Sequence, residues 1–507
     1  MTLFTFHALG ARNFDDHPDL EVLGKKIVDK CRGLPLAVKT LAGLLSFKVS
    51  PREWQGILNS KIWDLPQESH DILPALKLSY LHLPLNMRRC FAYCAIFPND
   101  YEIERDELIH WWIAEGLLDG KEGESRWNVG LKLFNELVSR SLLQESSSSE
   151  SQFLMHDLVS DLAKLVAGAT YFISGVFDLE GDQNNAFLAR HASFISSEHI
   201  VQERFKIYHG MNGLRSFISL AKQPKYYGKS YLSEKVLGDL LSELKYLRVF
   251  SLCHYHIREV PNCIGKLRHL RCLNLSYTDI KTLPESIVAL YYLKALMLRG
   301  CQNLIELPEA GEGDIELPSK LETMDSQNCI NLEKHPSEIY TISSLQDLTV
   351  VGCPKLVSLS EIGLPPQLEF LRILECENMK QPAREWLTPL TSLRSLDIDG
   401  RAGRVGEEKD LVLPLPSSLL KLDISDMEKV ERLSSNLPPS LQILWIFNCP
   451  KLRELPKAGL PPSLKDLRIR DCGILEKRCR KGTGSYWPLI REIPRVRLGD
   501  DEFKSIT

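Results

Sequence analysis

One hydrophobic pattern recurs along the second half of the chain. Its frame is Leu-x-x-Leu-x-Leu, with other apolar residues in some places, and its units begin 22 to 28 residues apart. The ten units begin at Leu247, Leu270, Leu293, Leu321, Leu345, Leu368, Leu393, Leu419, Leu441 and Leu464. The Leu-x-Leu core alternates between two faces, as a short β-strand requires. We therefore expect one strand per unit, with its inward leucines stacked on those of the next unit.

The period and the frame are typical of leucine-rich repeats, which run about 20–29 residues per unit. Three residues after the last core position lies a slot whose side chain must satisfy backbone groups at a turn. Cysteine fills this slot at Cys301, Cys329, Cys353, Cys376, Cys449 and Cys472, and other residues fill it at Tyr255, Thr278, Arg401 and Met427. We predict that the slot cysteines are buried and structural. The alternative is a metal site, which would be formed by Cys253, His254, His256 and Cys263, but no tetrahedral spacing pair recurs.

Each unit also has one outward position between its inward core residues. These positions hold Ser251, Asn274, Met297, Asp325, Thr349, Arg372, Asp397, Asp423, Trp445 and Arg468. They follow no single rule and mix charged, aromatic and polar side chains. Repeat arrays use such a concave face to bind another macromolecule, and we predict that use here. The alternative is a face that is merely solvated.

Helical periodicity dominates the first half of the chain. Residues 18–47 predict two helices, the first stopped at Gly33 and the second opened by Pro35. Residues 72–118 predict several short helices broken by prolines. Two strand-like runs, 141–144 and 152–155, flank a serine-rich turn, and a hairpin behind helices is typical of a winged helix. We expect Asp157 to cap the next helix, which would run to about residue 166.

Charge argues against a DNA-binding use of this winged helix. Between residues 51 and 167, 11 Lys and Arg face 18 Asp and Glu, a balance of −7, whereas a DNA-reading module is basic. The whole chain carries a net charge of −4, which predicts no partner among nucleic acids. Its 13 cysteines, an odd number, and the lack of a secretory signal predict a reducing compartment. We predict no transmembrane segment, no catalytic residues and no metal site.

Three motifs stand in order before the repeats. Residues 33–37, Gly-Leu-Pro-Leu-Ala, resemble the GLPLA motif of plant NB-ARC domains. Residues 90–116, from Cys-Phe-Ala-Tyr-Cys to Trp-Ile-Ala-Glu-Gly, resemble a segment typical of the coiled-coil class of plant immune receptors, and residues 155–157 match the MHD motif. Because the motifs occur in this order ahead of the repeats, the chain is identified as a member of the plant nucleotide-binding, leucine-rich-repeat (NLR) disease resistance proteins.

The resemblance implies a nucleotide switch, in which ADP holds the receptor closed and ATP opens it toward an oligomer. In closed members of the family, the GLPLA proline packs near the nucleotide and the MHD histidine contacts a phosphate of ADP. The residues of this chain that match are Pro35 and His156, with Gly33, Leu34 and Asp157 in support. An imidazole N–H can donate to a phosphate oxygen. Taken without the resemblance, Pro35 is a helix-opening proline and His156 is a polar residue at a strand end.

The sequence departs from the family where phosphate would bind. No Gly-x-x-x-x-Gly-Lys-[Ser/Thr] motif occurs. The near match at residues 228–230 has Gln223 in place of the first glycine, and Pro224 removes an amide donor. We therefore expect the chain to bind ADP weakly or not at all. The missing P-loop and Mg-binding strand predict an N-terminally truncated receptor that is not an enzyme.

The predicted fold class is α+β and multidomain, with an NB-ARC remnant (1–49), a winged helix (50–170), a connecting segment with irregular first repeats (171–246), a leucine-rich-repeat solenoid (247–500) and a tail (501–507). The predicted function is that of a cytoplasmic immune-receptor fragment, with the nucleus or the plasma-membrane surface as alternative locations. Its repeats would sense a pathogen effector or a guarded host protein and would contact the winged helix. The alternative is a protein-binding adaptor or decoy without nucleotide switching. We expect residues 1–47 to be less stable than the repeats.

Overall fold

The computed structural model describes residues 1–10, 13–15, 17–48, 50–64, 73–119, 124–147, 149, 151–174, 187–195, 202–220, 232–308, 318–360, 362–434, 436–499 and 501–504. The chain divides into two compact units, of which the first contains residues 1–196 and 210–226, and the second contains residues 197–209 and 227–507. The near match to a P-loop at residues 228–230 lies outside the described residues.

The described part of the first unit contains nine α-helices. They are α1 (Thr2–Leu9), α2 (Pro18–Lys30), α3 (Pro35–Leu45), α4 (Pro51–Leu58), α5 (Pro74–Leu81), α6 (Leu85–Tyr93), α7 (Arg105–Glu115), α8 (Arg126–Ser139) and α9 (Asp157–Ala167). Proline opens α2, α3, α4 and α5, because its fixed φ suits a helix start and its missing N–H costs nothing there. The backbone is left-handed at Arg32 (φ 50) and Gly33 (φ 78), directly after α2. The two predicted helices within residues 18–47 are confirmed.

The first four helices share a core. Phe4 and Trp54 are both fully buried, and their rings meet edge to face with centroids 5.7 Å apart. Ser50 makes a capping box with Glu53 at the start of α4, and the Trp54 indole N–H donates to the Lys48 carbonyl at 3.0 Å. These contacts anchor α4 against α1 and against the segment between α3 and α4.

A small antiparallel sheet accompanies helices α6 to α9. Its strands are β1 (Ile103–Glu104), β2 (Gln144–Glu145) and β3 (Gln152–Leu154), in the order β1-β3-β2. The predicted hairpin is confirmed, but the prediction that its first strand begins at Ser141 is wrong. Ser141 has a φ of 57, outside the extended region, so Leu142 and Leu143 enter the core before strand pairing begins.

Three parallel strands follow within the first unit, namely β4 (Tyr171–Ser174), β5 (His191–Ile195) and β6 (Ser216–Leu220). They lie in the segment predicted to hold irregular first repeats. Their first residues pair directly, Tyr171 with His191 and His191 with Ser216. These three side chains therefore form one row on one face of the sheet.

The second unit is a ladder of short strands. In chain order the ladder strands are β7 (Val249–Ser251), β8 (Cys272–Asn274), β9 (Ala295–Met297), β10 (Thr323–Asp325), β11 (Asp347–Val351), β12 (Phe370–Leu374), β13 (Ser395–Asp399), β15 (Lys421–Ser425), β17 (Ile443–Phe447), β18 (Asp466–Arg470), β19 (Arg495–Leu498) and β20 (Asp501–Lys504). A separate pair is formed by β14 (Asp410–Leu411) and β16 (Arg432–Leu433). The helices are α10 (Glu234–Glu243), α11 (Ala383–Leu387), α12 (Gly473–Cys479) and α13 (Trp487–Ile490). Neighbouring ladder strands are parallel, except that β20 runs antiparallel to β19. The predicted solenoid, with one strand in each of the ten leucine units, is confirmed.

The turn after each strand explains the cysteine slot. At nine of the ten units the residue before the slot has a positive φ, as at Asn328, Glu375 and Asp471. Five of the six slot thiols then donate to the carbonyl of the last core residue one unit earlier, for example from Cys301 Sγ to Leu275 O at 3.1 Å and from Cys329 Sγ to Leu298 O at 3.0 Å. All six slot cysteines are free and buried, as predicted. Their thiols satisfy carbonyl groups that the turn removes from water.

Candidate functional site

The residues predicted to contact nucleotide begin at the turn between α2 and α3. Leu34 is the N-cap of α3 and Pro35 is its first residue. A cavity of about 710 Å³ opens beside this turn, and it combines cationic with apolar side chains. It is lined by Lys26, Asp29, Lys30, Cys31, Arg32, Leu34, Ala37, Leu58, Trp63, Leu73, Pro74 and Ala75.

The second predicted contact, His156, lies at the start of α9. Its Nδ1 accepts a hydrogen bond from the Leu158 N–H at 3.3 Å, so His156 is itself the N-cap. The prediction that Asp157 caps this helix is therefore wrong, because Asp157 is the first residue inside α9. The imidazole holds Nδ1 as an acceptor and leaves its proton on Nε2. His156 is exposed, whereas Met155 before it is buried.

Pro35 and His156 lie on separate helices, at the starts of α3 and α9. The cavity beside α3 is lined by Leu34 but by neither Pro35 nor His156. A bound diphosphate requires several convergent N–H groups or cations. At the start of α9, the position next to the His156 ring carries the anion Asp157 instead. Contact of Pro35 and His156 with ADP therefore stays a prediction, and we derive no step that involves ADP.

A buried polar cluster, which the sequence analysis missed, lies elsewhere in the first unit. Ser216 Oγ donates to Glu115 Oε1 at 2.6 Å, and Tyr93 Oη donates to Ser216 Oγ at 3.0 Å. His191 Nδ1 lies 2.9 Å from the same Ser216 Oγ and 3.6 Å from the Glu115 carboxylate. The His191 ring also stacks on Tyr171, with centroids 4.8 Å apart. We call these five residues the Glu115 cluster.

Proton counting fixes the tautomer of His191 in this cluster. Ser216 has one hydroxyl proton, and it goes to the Glu115 carboxylate. Ser216 Oγ must therefore accept from both the Tyr93 hydroxyl and the His191 Nδ1–H. Glu115 is the last residue of α7, where the helix dipole disfavours an anion. The Ser216 hydroxyl therefore stabilises a carboxylate that the helix itself destabilises. Burial, together with nearby Cys94 and Glu115, raises the pKa of Tyr171 well above its usual value.

The outward face of the ladder differs between its two ends. At β7, β8 and β9 every outward side chain is buried, namely Val249, Ser251, Cys272, Asn274, Ala295 and Met297. From β11 onward most outward positions are partly or fully exposed. The accessible part of the predicted binding face therefore lies toward the C-terminal end of the ladder.

Charged and aromatic side chains alternate across this accessible part. The paired outward positions run Arg372, Asp397, Asp423, Trp445 and Arg468 on successive strands. Asp397 pairs with Arg372 Nη2 at 2.8 Å, and it also pairs with a neighbouring lysine. Burial, reinforced by the charge of Asp397, raises the pKa of Asp423 to about 6. These outward positions thus form a connected set of charges and not a uniformly solvated surface.

The residues weighed as a metal site serve other contacts. The ring of His254 stacks on Tyr277 with centroids 4.5 Å apart, and Cys263 Sγ donates to a helix carbonyl at 3.9 Å. Burial lowers the pKa of His254 to about 4, which keeps the ring neutral. Within the described ranges, no three His, Cys, Asp or Glu side chains are grouped so as to hold a metal ion. Those ranges also contain no helix with the length and hydropathy needed to cross a membrane.

Comparison with known proteins assigns both parts of this architecture. Residues 96–163 match the model described as "Disease resistance protein Winged helix domain". This part of the chain belongs to the winged-helix domain family of disease resistance proteins. Residues 230–317 match the model of a leucine-rich repeat region, so the second half of the chain follows the same family order.

Several curated disease resistance proteins are similar to this chain. The "Putative disease resistance RPP13-like protein 1" of Arabidopsis thaliana is 37% identical over 47% of this chain and 22% of its own length. The "Putative disease resistance protein RGA1" and "Disease resistance protein RGA2" of Solanum bulbocastanum are each 42% identical, over 37% and 35% of this chain and 19% and 18% of their own lengths. The matches therefore span about a fifth of the length of these relatives.

Proposed function

We propose that this disease resistance chain acts in plant defence as the sensing part of an immune receptor. Its repeats would bind a pathogen effector or a guarded host protein through the accessible outward face of β11 to β19. The observation that carries this proposal is the change along the ladder, from buried outward positions at β7–β9 to open, mixed charged and aromatic positions beyond them. Rigid strands that present such side chains favour binding of a macromolecule.

The regulatory part of the proposal concerns the first unit. We place the receptor in the cytoplasm and expect its repeats to contact the winged helix and so restrain it. The ADP/ATP switch implied by the family is incomplete in this sequence, since no P-loop motif occurs in it. We therefore expect the 507-residue chain to retain little or no ADP. Tight retention of ADP by the purified chain would contradict this part of the proposal.

Disruption of the gene in its source plant, followed by challenge with a panel of pathogen isolates, tests the receptor function. The proposal expects loss of resistance to at least one isolate and physical association of the chain with an effector, or an effector target, of that isolate. Unchanged resistance to every isolate would refute it.

The incomplete nucleotide site favours a second candidate, a protein-binding adaptor or decoy without nucleotide switching. Restoration of resistance by a Pro35→Ala, His156→Ala double variant in the disrupted line would support this second candidate. Failure of that variant to restore resistance, with normal accumulation of the protein, would favour the nucleotide switch.

A further inference from the structure

We propose that the outward face of β17, β18 and β19 binds an acidic polypeptide segment that carries an apolar anchor residue. This inference rests on the proposed function and specifies the partner chemistry of the same face. Its centre is Trp445, the only tryptophan among the outward positions of the described ladder strands. We call this surface the Trp445 patch, and it consists of Ile443, Trp445, Phe447, Arg468, Arg470 and Arg495.

The first argument is that Trp445 is held in place before any partner arrives. Lys421 Nζ lies 4.4 Å from the ring centroid and Arg468 Cζ lies 4.2 Å from it, on the two neighbouring strands. The indole N–H donates to Asp466 Oδ1 at 3.3 Å. A ring that is already ordered loses little conformational entropy on binding. Tryptophan and arginine are also the residue types that contribute most often to binding hot spots.

The strands at the edge of the Trp445 patch carry a net positive charge. The outward positions of β18 and β19 hold the cations Arg468, Arg470, Arg495 and Arg497 against one anion, Asp466, which gives a net charge of +3. The chain as a whole has a net charge of −4. The side chain of Arg470 is 62% exposed and that of Arg495 is 50% exposed. These exposed cations favour an acidic partner at this end of the ladder, although the chain as a whole is negatively charged.

The third argument is that apolar surface lies directly beside these cations. Ile443 and Phe447 flank Trp445 on β17 and are partly exposed, and the Phe447 ring meets the Trp445 ring at a centroid distance of 6.2 Å. A patch with an apolar centre and a charged rim has the organisation of a protein interface. An acidic segment with one apolar side chain matches it in both respects.

The same geometry disfavours nucleic acid as the occupant. Single strands bind by stacking bases on open aromatic faces. Lys421 and Arg468 already lie over the Trp445 ring. The exposed part of Trp445 is thus suited to an apolar side chain.

Fluorescence anisotropy with three labelled 15-residue peptides tests the proposal on the full chain. The first peptide is glutamate-rich with a central Leu-Phe pair, the second has lysine in place of every glutamate, and the third has Ser-Ser in place of Leu-Phe. We expect the first peptide to bind, with an affinity that falls as salt is raised. We expect the other two to bind at least about tenfold more weakly.

Variants then locate the binding surface. Trp445→Ala, and separately the double variant Arg470→Ala, Arg495→Ala, should each weaken binding of the first peptide about tenfold. The matched control is Lys245→Ala, Arg268→Ala, which removes the same charge from exposed positions at the strand-entry edge of the ladder and should change affinity less than about twofold. Circular dichroism checks that each variant is folded. If Trp445→Ala does not fold, the double variant Arg470→Ala, Arg495→Ala still tests the proposal, because both arginines are exposed.

Three results would overturn the proposal. They are equal binding of the lysine-rich peptide, equal weakening by the control variant, and no binding of the first peptide at millimolar concentration. A chain that confers resistance but gives any of these results refutes the acidic occupant and leaves the proposed receptor function standing. A chain that binds the first peptide as described but confers no resistance supports the acidic occupant and refutes the proposed receptor function.

Discussion

Replacement of Ser216 by alanine removes the atom on which the Glu115 cluster converges. The Ser216 hydroxyl is fully buried, donates to the Glu115 carboxylate at 2.6 Å and accepts from the Tyr93 hydroxyl at 3.0 Å. Alanine removes one hydrogen bond to the buried Glu115 carboxylate and one hydrogen bond from the buried Tyr93 hydroxyl. We therefore expect Ser216→Ala to destabilise the first unit far more than the loss of one oxygen atom suggests.

The chain offers a matched control at Ser193. Its hydroxyl is also fully buried and also makes a 2.6 Å hydrogen bond, but the acceptor is the neutral carbonyl of Ile96. A hydrogen bond to a charged group contributes about 1.5–3 kcal/mol, against about 0.5–1.5 kcal/mol for a neutral one. Because Ser216→Ala also removes the hydrogen bond from the Tyr93 hydroxyl, we expect a loss of about 3 kcal/mol for Ser216→Ala and about 1 kcal/mol for Ser193→Ala.

Hydrogen exchange is the appropriate assay, because a chain of two compact units need not unfold in one step. Under conditions where exchange reports the opening equilibrium, a loss of about 3 kcal/mol accelerates exchange roughly a hundredfold, and about 1 kcal/mol accelerates it roughly fivefold. The effect should appear in peptides from α6, α7 and β4–β6. Equal acceleration by the two serine variants would refute the argument that the charge of Glu115 decides the cost.

Three further predictions concern the fold. Burial raises the pKa of Asp423 to about 6, so its ionised form destabilises the folded state above that pH. Asp423→Asn should therefore add about 2 kcal/mol to the free energy of unfolding at pH 7.5. Urea unfolding should show that most of this gain is gone by pH 4. Gly300→Ala should lower the melting temperature, because φ is 67 and a Cβ would overlap the Tyr277 ring, whereas Gly238→Ala in α10 meets no atom within 4 Å and should raise it. Residues 1–47 should exchange their amide protons faster than the repeat strands, and equal protection would show that the core around α1–α4 stabilises them fully.

The repeat frame predicted the ladder because its two requirements act locally. A Leu-x-Leu segment that buries one face against its neighbours becomes a strand in any such array, and Leu273 and Leu275 are both fully buried as expected. The helix start at Pro35 could also be predicted locally, because the fixed φ of proline suits the first position of a helix. The predicted cap at Asp157 was wrong by one residue. His156 and Asp157 both suit a helix start, and only the backbone geometry places the cap at His156.

Contacts between distant parts of the chain could not be predicted in this way. The Glu115 cluster joins residues that lie 76 to 123 positions apart in pairs such as Glu115 with His191 and Tyr93 with Ser216. Each of these residues looks ordinary within its own segment, and Glu115 at the end of α7 has no unusual neighbour in the sequence. The row formed where β5 and β6 pair supplies the Ser216 hydroxyl that donates to the carboxylate.

The outward face of the ladder shows where local prediction ends. The same frame predicts that Asn274 and Arg468 point outward, yet Asn274 is fully buried and Arg468 is partly exposed over Trp445. Periodicity determines which side of a strand a residue occupies but not whether that side is open to solvent. An outward residue can therefore serve recognition only where the three-dimensional structure leaves it accessible. On β17–β19 the outward residues meet this condition, whereas those on β7–β9 are buried.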